Sequence, residues 1–218
     1  VNIVSYRESI IEGQELNIIM EFCYGGDLNQ LITEKNNTAG KKLEEPKIID
    51  WATQIALAIF YMHDKRILHR DIKTPNIFIS DDKVKLGDFG ISKVLDEKID
   101  LASTSIGTPY YMSPEQYKHK PYSYKSYLHS HSAICGPSDA YSTKCATKKD
   151  PSKHTPQWTS SQSTRSQLRA SFEYYSKELR ELIKKMLQKK EKDRPLIYEF
   201  IQTPIIKKEL LDIYDKCT

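Results

Sequence analysis

A carboxylate, an ammonium group and a carboxamide follow one another in a short string, His69-Arg70-Asp71-Ile72-Lys73-Thr74-Pro75-Asn76. The string sits between the end of a long helical pattern and a strand, Ile77-Phe78-Ile79. Asp81-Asp82 turns that strand into a second one, Val84-Lys85-Leu86, after which come Asp88-Phe89-Gly90. A hairpin of this kind brings its two outer ends together, so Asn76 and Asp88 are predicted to lie side by side. A carboxylate and an amide oxygen are hard ligands suited to Mg²⁺, which keeps several waters and binds substrate phosphates. Asp71 is placed to accept a hydroxyl proton while orienting the nucleophile, and Lys73 to neutralise charge on a transferring phosphoryl group. Any one of these residues alone reads as a stray charge on a surface hairpin. The whole string, followed by Asp88-Phe89-Gly90 at this spacing, is a long and specific signature.

The surrounding sequence supplies a scaffold for the string. Ile18-Ile19-Met20-Glu21-Phe22 reads as a buried strand that stops at Gly25-Gly26. Asp27 caps a short helix running to about Asn36. From Glu44 the pattern is helical, with Ile48, Ala52, Ile55, Ile59 and Met62 on one stripe and Pro46 in the first turn. Leu179, Leu182, Ile183, Met186 and Leu187 form a second stripe, and a last helical pattern starts at Leu196. Val1 to Val4 reads as a strand, so the chain is expected to open inside a fold.

Several classes are disfavoured. The net charge of +4 is spread over mixed acidic and basic residues, which describes a solvated surface. Only the run from Lys184 to Lys192 is clustered, so no nucleic-acid partner is expected. None of the four cysteines forms a Cys-x-x-Cys pair, which favours a reduced intracellular compartment over a disulfide framework or zinc site. No apolar run is long enough to span a membrane, so no membrane partner is expected.

The motifs resemble those of protein kinases and, within them, the NIMA-related Ser/Thr kinases. The resemblance rests on Asn2–Ser9, Ile19–Leu28, Ile67–Phe78, Lys85–Ile91 and Gly107–Glu115. It covers residues 1–126 and resumes over about 173–201. It implies an α+β fold with a partial β-rich small lobe in 1–22 and a mainly helical large lobe in 23–218. It implies ATP and Mg²⁺ as cofactors, a protein substrate with Ser or Thr, microtubule-associated partners, and a cytoplasmic or cytoskeletal setting. Asp71 matches the catalytic base and Lys73 the phosphate-contacting lysine. Asn76 and Asp88 match the metal ligands. Met20 resembles the gatekeeper, Glu21 to Cys23 the adenine-binding hinge, and Phe78 the side chain beneath the adenine ring. Thr108 matches the substrate-docking loop, and Glu115 and Arg194 a large-lobe ion pair. Thr104 matches an activating phosphosite that Arg70 would hold. Read without the resemblance, Met20 is a core residue and Cys23 a packed one.

Two features cut against a working enzyme. The family's Gly-rich loop, strand lysine and partner glutamate would all precede Val1. Residues 127–171 also depart from the pattern, being rich in Ser and Thr with only scattered apolar residues. Such a composition is expected to be irregular and protease-sensitive. The family has a central apolar helix here, beginning near Leu-Tyr-Glu-Met. Reading Tyr141 to Ala146 from the third base of the Tyr codon permits Leu-Tyr-Glu-Met-Cys, and continuing through Lys153 permits Pro-Phe-Glu. A reading-frame error therefore accounts for the segment; the alternative is a lineage-specific insertion. The functional alternative to a kinase is a catalytically inactive fragment or a kinase-like interaction module.

Overall fold

The computed structural model describes residues 2–37, 43–90, 92–94, 111–121, 123–126, 128, 130–131 and 173–215. Two strands open it, β1 (Tyr6–Glu12) and β2 (Glu15–Met20), paired antiparallel from Tyr6↔Met20 to Glu12↔Glu15. Gly13 takes φ +62 in the turn between them, a region that glycine enters without a Cβ penalty. The strand at Ile18 to Met20 exists but is not buried: every residue of this ribbon is exposed, Met20 at 50% and Phe22 beyond it at 74%. Among the described residues the ribbon has no third strand, and an isolated two-stranded ribbon offers neither face a layer to pack on. Met20 is thus not a core residue among the described residues.

Helix α1 (Leu28–Asn37) starts where Asp27 Oδ1 accepts the backbone N–H of Gln30, the cap expected from the sequence. Helix α2 (Glu45–Asp64) is the axis of the fold. Its stripe of Ile48, Ala52, Ile55, Ile59 and Met62 is at most 2% exposed. Burial of Ile48, Ile55, Ile59 and Met62 contributes about 1.5–3 kcal/mol each before entropy is counted. Pro46 occupies the first turn, where its missing N–H has no intrahelical acceptor to lose.

After α2 come β3 (Ile67–Leu68), a 3₁₀ turn (Thr74–Asn76), β4 (Ile77–Ser80), β5 (Lys83–Leu86) and β6 (Lys93–Val94). Strands β4 and β5 form a hairpin closed by Asp81 and Asp82, at φ +49 and +62. Consecutive left-handed residues match the twist of the strands they join, and Asp tolerates that region better than most side chains. The hairpin is extended on both sides. Val4 N–H donates to Leu86 O at 2.9 Å, and Gly25 N–H donates to Ile79 O at 2.9 Å. A Cβ at Gly25 would stand 2.7 Å from the Ile79 side chain, so glycine is required for this approach. The segments before β1 and after β2 are thereby tied to this hairpin.

Beyond it lie α3 (Pro114–Tyr117), α4 (Lys177–Met186), a 3₁₀ turn (Glu191–Asp193), α5 (Ile197–Ile201) and α6 (Pro204–Asp215). The stripe Leu179, Leu182, Ile183 and Met186 is buried. The last helical pattern divides in two before Pro204, which lacks the N–H needed to continue a helix from α5. Of residues 127–171, three are described. Leu128, Ser130 and His131 are helical and buried, at 1%, 7% and 0% exposure. The His131 ring bonds Ala52 O of α2 through Nε2 at 3.1 Å and meets Phe200 of α5 edge-on at 5.1 Å. Among the described residues no helix is long and apolar enough to cross a membrane.

Candidate active site

The string from His69 to Asn76 leaves β3 and enters β4. Its backbone is bent sharply at Arg70, φ +68, and Asp88 on the other side of the hairpin has φ +59. Non-glycine residues in that region are uncommon, and such positions concentrate at functional sites. Here the surroundings hold both bends. His69 Nε2 bonds Gly87 O at 2.8 Å, and Asp71 N–H donates to His69 Nδ1 at 3.3 Å. An imidazole that accepts at Nδ1 must be neutral and carry its proton on Nε2. Burial pushes the His69 pKa down, which keeps that form at neutral pH. His69 thus joins the bend before Asp71 to the residue before Asp88, and its ring meets that of Phe89 at 4.9 Å, tilted by 55°.

Asp71 is held from one side. Lys73 Nζ lies 2.6 Å from Asp71 Oδ2. Asn76 Nδ2 donates to Asp71 O at 2.9 Å and to Asp71 Oδ2 at 3.2 Å. Spending the Asn76 amide nitrogen on Asp71 leaves its oxygen as the atom suited to a cation. Gly87 N–H donates to Asn76 O at 2.9 Å, so Asn76 and Asp88 flank one backbone bond. A Cβ at Gly87 would stand 2.8 Å from the Phe78 ring and 2.9 Å from Val4, which requires glycine before Asp88.

That donor set fits a hard divalent cation: one carboxylate and one amide oxygen, with no histidine or thiolate. Among the described residues no cluster of three or more His, Cys, Asp or Glu could hold a metal by itself. Mg²⁺ suits such an open set, because waters and substrate phosphates complete its shell.

The residues expected to form the adenine-binding hinge stand as follows. Glu21 is tied to β5 by Lys85, Nζ to Oε1 at 2.7 Å, and that bond holds its carboxyl below the usual range. Cys23 is half-buried, and burial pushes its thiol pKa up, which argues for a packed residue over a reactive thiolate. Phe78 is half-buried on β4, paired with Asp27 beyond the hinge. Arg70 lines a small cavity with Asp71, Tyr111 and Met112. Thr104 and Thr108 lie outside the described residues.

The pair Glu115 and Arg194 is formed, Nη2 to Oε2, across the large lobe. Arg194 also donates to Gln188 O at 3.0 Å and Lys125 O at 3.3 Å, and Ser126 Oγ donates to Glu115 Oε1 at 2.6 Å. Every arm of this buried guanidinium has a partner. Three contributions escaped sequence reasoning: the bridging role of His69, the Glu21–Lys85 pair, and the Ser126 bond. Each joins residues far apart in the chain, and no local spacing announces it.

Fold and site together define a protein kinase. The protein kinase domain family matches residues 1–206, and the chain belongs to that family. Within that family the chain is similar to the NIMA-related Ser/Thr kinases. It is 39% identical over 214 residues to serine/threonine-protein kinase Nek4 of Mus musculus, covering 94% of this chain and 25% of that protein. It is 36% identical over 218 residues to Nek11 of Homo sapiens, covering 97% and 32%. To Nek1 of Mus musculus it is 52% identical over 126 residues, covering 57% and 10%. The chain therefore spans about a third or less of the length of these relatives.

Proposed function

We propose that this chain carries the catalytic half of a NIMA-related Ser/Thr protein kinase, which transfers the γ-phosphoryl group of ATP to a protein hydroxyl. In this reading residues 1–22 belong to the small lobe and 23–218 to the large lobe. Asp71 accepts the proton of a substrate Ser or Thr hydroxyl as its oxygen bonds to the γ-phosphorus and the bond to the β-phosphate oxygen breaks. Lys73 moves from its pair with Asp71 toward charge on the transferring group. Asn76 and Asp88 hold Mg²⁺, which when bound neutralises phosphate charge. Met20, Glu21 and Cys23 border the adenine, with Phe78 beneath it. Thr108 docks the substrate chain, and phosphorylated Thr104 pairs with Arg70. Microtubule-associated proteins, in an intracellular, cytoplasmic or cytoskeletal setting, are the partners the resemblance favours.

The observation that carries the reading is the convergence of Lys73 and Asn76 on Asp71 Oδ2, with Asn76 bonded to the residue before Asp88. Surface chance does not supply a carboxylate oriented by two side chains beside a hard-ligand pair. The test is Asp71→Asn in the full-length protein. The general-base share predicts a loss of kcat of about 10²–10⁴-fold with nucleotide Kd unchanged. Turnover near wild type would overturn the assignment.

Residues 127–171 are proposed to be read out of frame in part. The support is the departure of residues 127–171, rich in Ser and Thr, from the apolar helix that the family resemblance implies there. A cDNA read through codons 120–175 decides between a frame error and an insertion.

A further inference from the structure

Thr74 stands between Lys73 and Asn76, buried at 5% exposure, yet its hydroxyl bonds to residues outside the string. Oγ1 lies 3.3 Å from Asn29 Oδ1 on α1 and 3.0 Å from the Tyr111 hydroxyl. A threonine hydroxyl carries one proton. With that proton directed at Asn29, Thr74 accepts from Tyr111, and the chain runs Tyr111 to Thr74 to Asn29. Tyr111 is held a second time, where Ser130 Oγ donates to its carbonyl at 2.7 Å. Tyr111 is three residues past Thr108 and leads directly into α3. The three side chains thus tie Tyr111, just ahead of α3, to the catalytic string on one side and α1 on the other.

We propose that Thr74 is a positioning residue for the protein substrate: through Tyr111 it sets where the docking segment meets the Asp71 loop. The proposal rests on the kinase reading. It separates two tasks within one short string. Asp71, Lys73 and Asn76 face the nucleotide and hydroxyl chemistry. Thr74, in the same 3₁₀ turn as Asn76, bonds Tyr111 and so fixes the polypeptide that must present the hydroxyl. A hydroxyl is needed because the neighbouring groups are an acceptor and a donor; a methyl in its place would leave both without their bond.

The experiment uses the full-length protein, purified active, with a peptide bearing one Ser as phosphate acceptor. Thr74→Val should raise peptide KM about 3–10-fold, the size expected for one or two neutral hydrogen bonds, with kcat and nucleotide KM within about twofold of wild type. Thr74→Ser, which keeps the hydroxyl, should restore peptide KM. Tyr111→Phe should reproduce the Thr74→Val effect, and the two together should cost little more than either alone, as expected for members of one chain. Unchanged peptide KM in both single variants overturns the proposal. So does a fall in kcat at constant peptide KM, which would mean that Thr74 supports Asp71 or Asn76. If Thr74→Val does not fold, Tyr111→Phe and the exposed Asn29→Ala decide by the same readout. A wild-type protein that binds nucleotide but phosphorylates no peptide overturns the kinase reading before any variant is compared, and this proposal with it.

Discussion

Replacing Arg194 by Met tests how the large lobe is held. The Arg194 side chain is 0% exposed and that of Glu115 10%. The substitution keeps much of the volume and removes the guanidinium, leaving Glu115 buried with the Ser126 hydroxyl as a remaining donor. Breaking a buried pair from one side costs about 3–5 kcal/mol, because the surviving charge is uncompensated. Domains of this kind have about 5–15 kcal/mol in all, so a large share is at stake. In a melt the loss corresponds to about 6–20 °C. The pH dependence gives a sharper signature. In the native chain, burial raises the Glu115 pKa, but the bonds from Arg194 and Ser126 outweigh it and leave the carboxyl below its ordinary 4.5. A carboxyl depressed on folding stabilises above its unfolded pKa, and that stability is lost as pH falls through the folded value. Without Arg194 burial dominates, and the folded pKa moves above the unfolded one. The contribution then reverses: it is present in acid and lost as pH rises. Urea midpoints of both proteins between pH 4 and 8 should therefore show a penalty smallest near pH 4 and largest near pH 7. Taking the difference cancels titrations common to both. A penalty below about 1 kcal/mol, or one independent of pH, would refute the reasoning. The double variant Glu115→Gln with Arg194→Met, which removes both charges, should recover part of the loss.

Buried histidines add their own acid sensitivity. The His131 pKa is pushed by burial from 6.5 to about 4, so the unfolded chain takes up a proton there first as pH falls below 6.5. Stability should drop by about 1.4 kcal/mol per pH unit for this group between those values, and His131→Leu should remove one proton from the slope seen in pH-dependent urea melts. His69 is depressed in the same direction, and His69→Leu should additionally lower kcat, because Asp71 N–H loses its acceptor; equal kcat would count against the bridging role. Thr104→Ala in the full-length protein should lower kcat/KM by at least about tenfold, the value of one charge-assisted bond to Arg70. Phosphopeptide mapping of active protein that finds Thr104 unmodified would refute that assignment.

Much of the architecture was legible because it follows local rules. The α2 stripe, Asp27 as a cap, Pro46 in a first turn and the Asp81-Asp82 hairpin each depend on neighbours within a few residues, and all are present in the structure. The proximity of Asn76 and Asp88 was legible for the same reason, since a tight hairpin has one way to close. Where the reading of burial failed, at Ile18 to Phe22, the cause is equally physical. An apolar run states what a strand is able to bury, whereas burial itself needs a partner layer, and among the described residues β1 and β2 pair only with each other.

Sequence alone determined the chemistry on offer: which acid, base and hard ligands stand at which spacing, and on which elements. Tertiary structure decided which of them are held, and by what. His69 meets Gly87 across 18 residues, Thr74 meets Tyr111 across 37, and Arg194 meets Glu115 across 79. Each of these bonds needs the hairpin and α2 already in place, because orientation of a side chain 3 Å from its partner is a property of packed elements. Periodicity can name the face of a helix, but only the packed chain brings a guanidinium from beyond α4 to a carboxylate in α3.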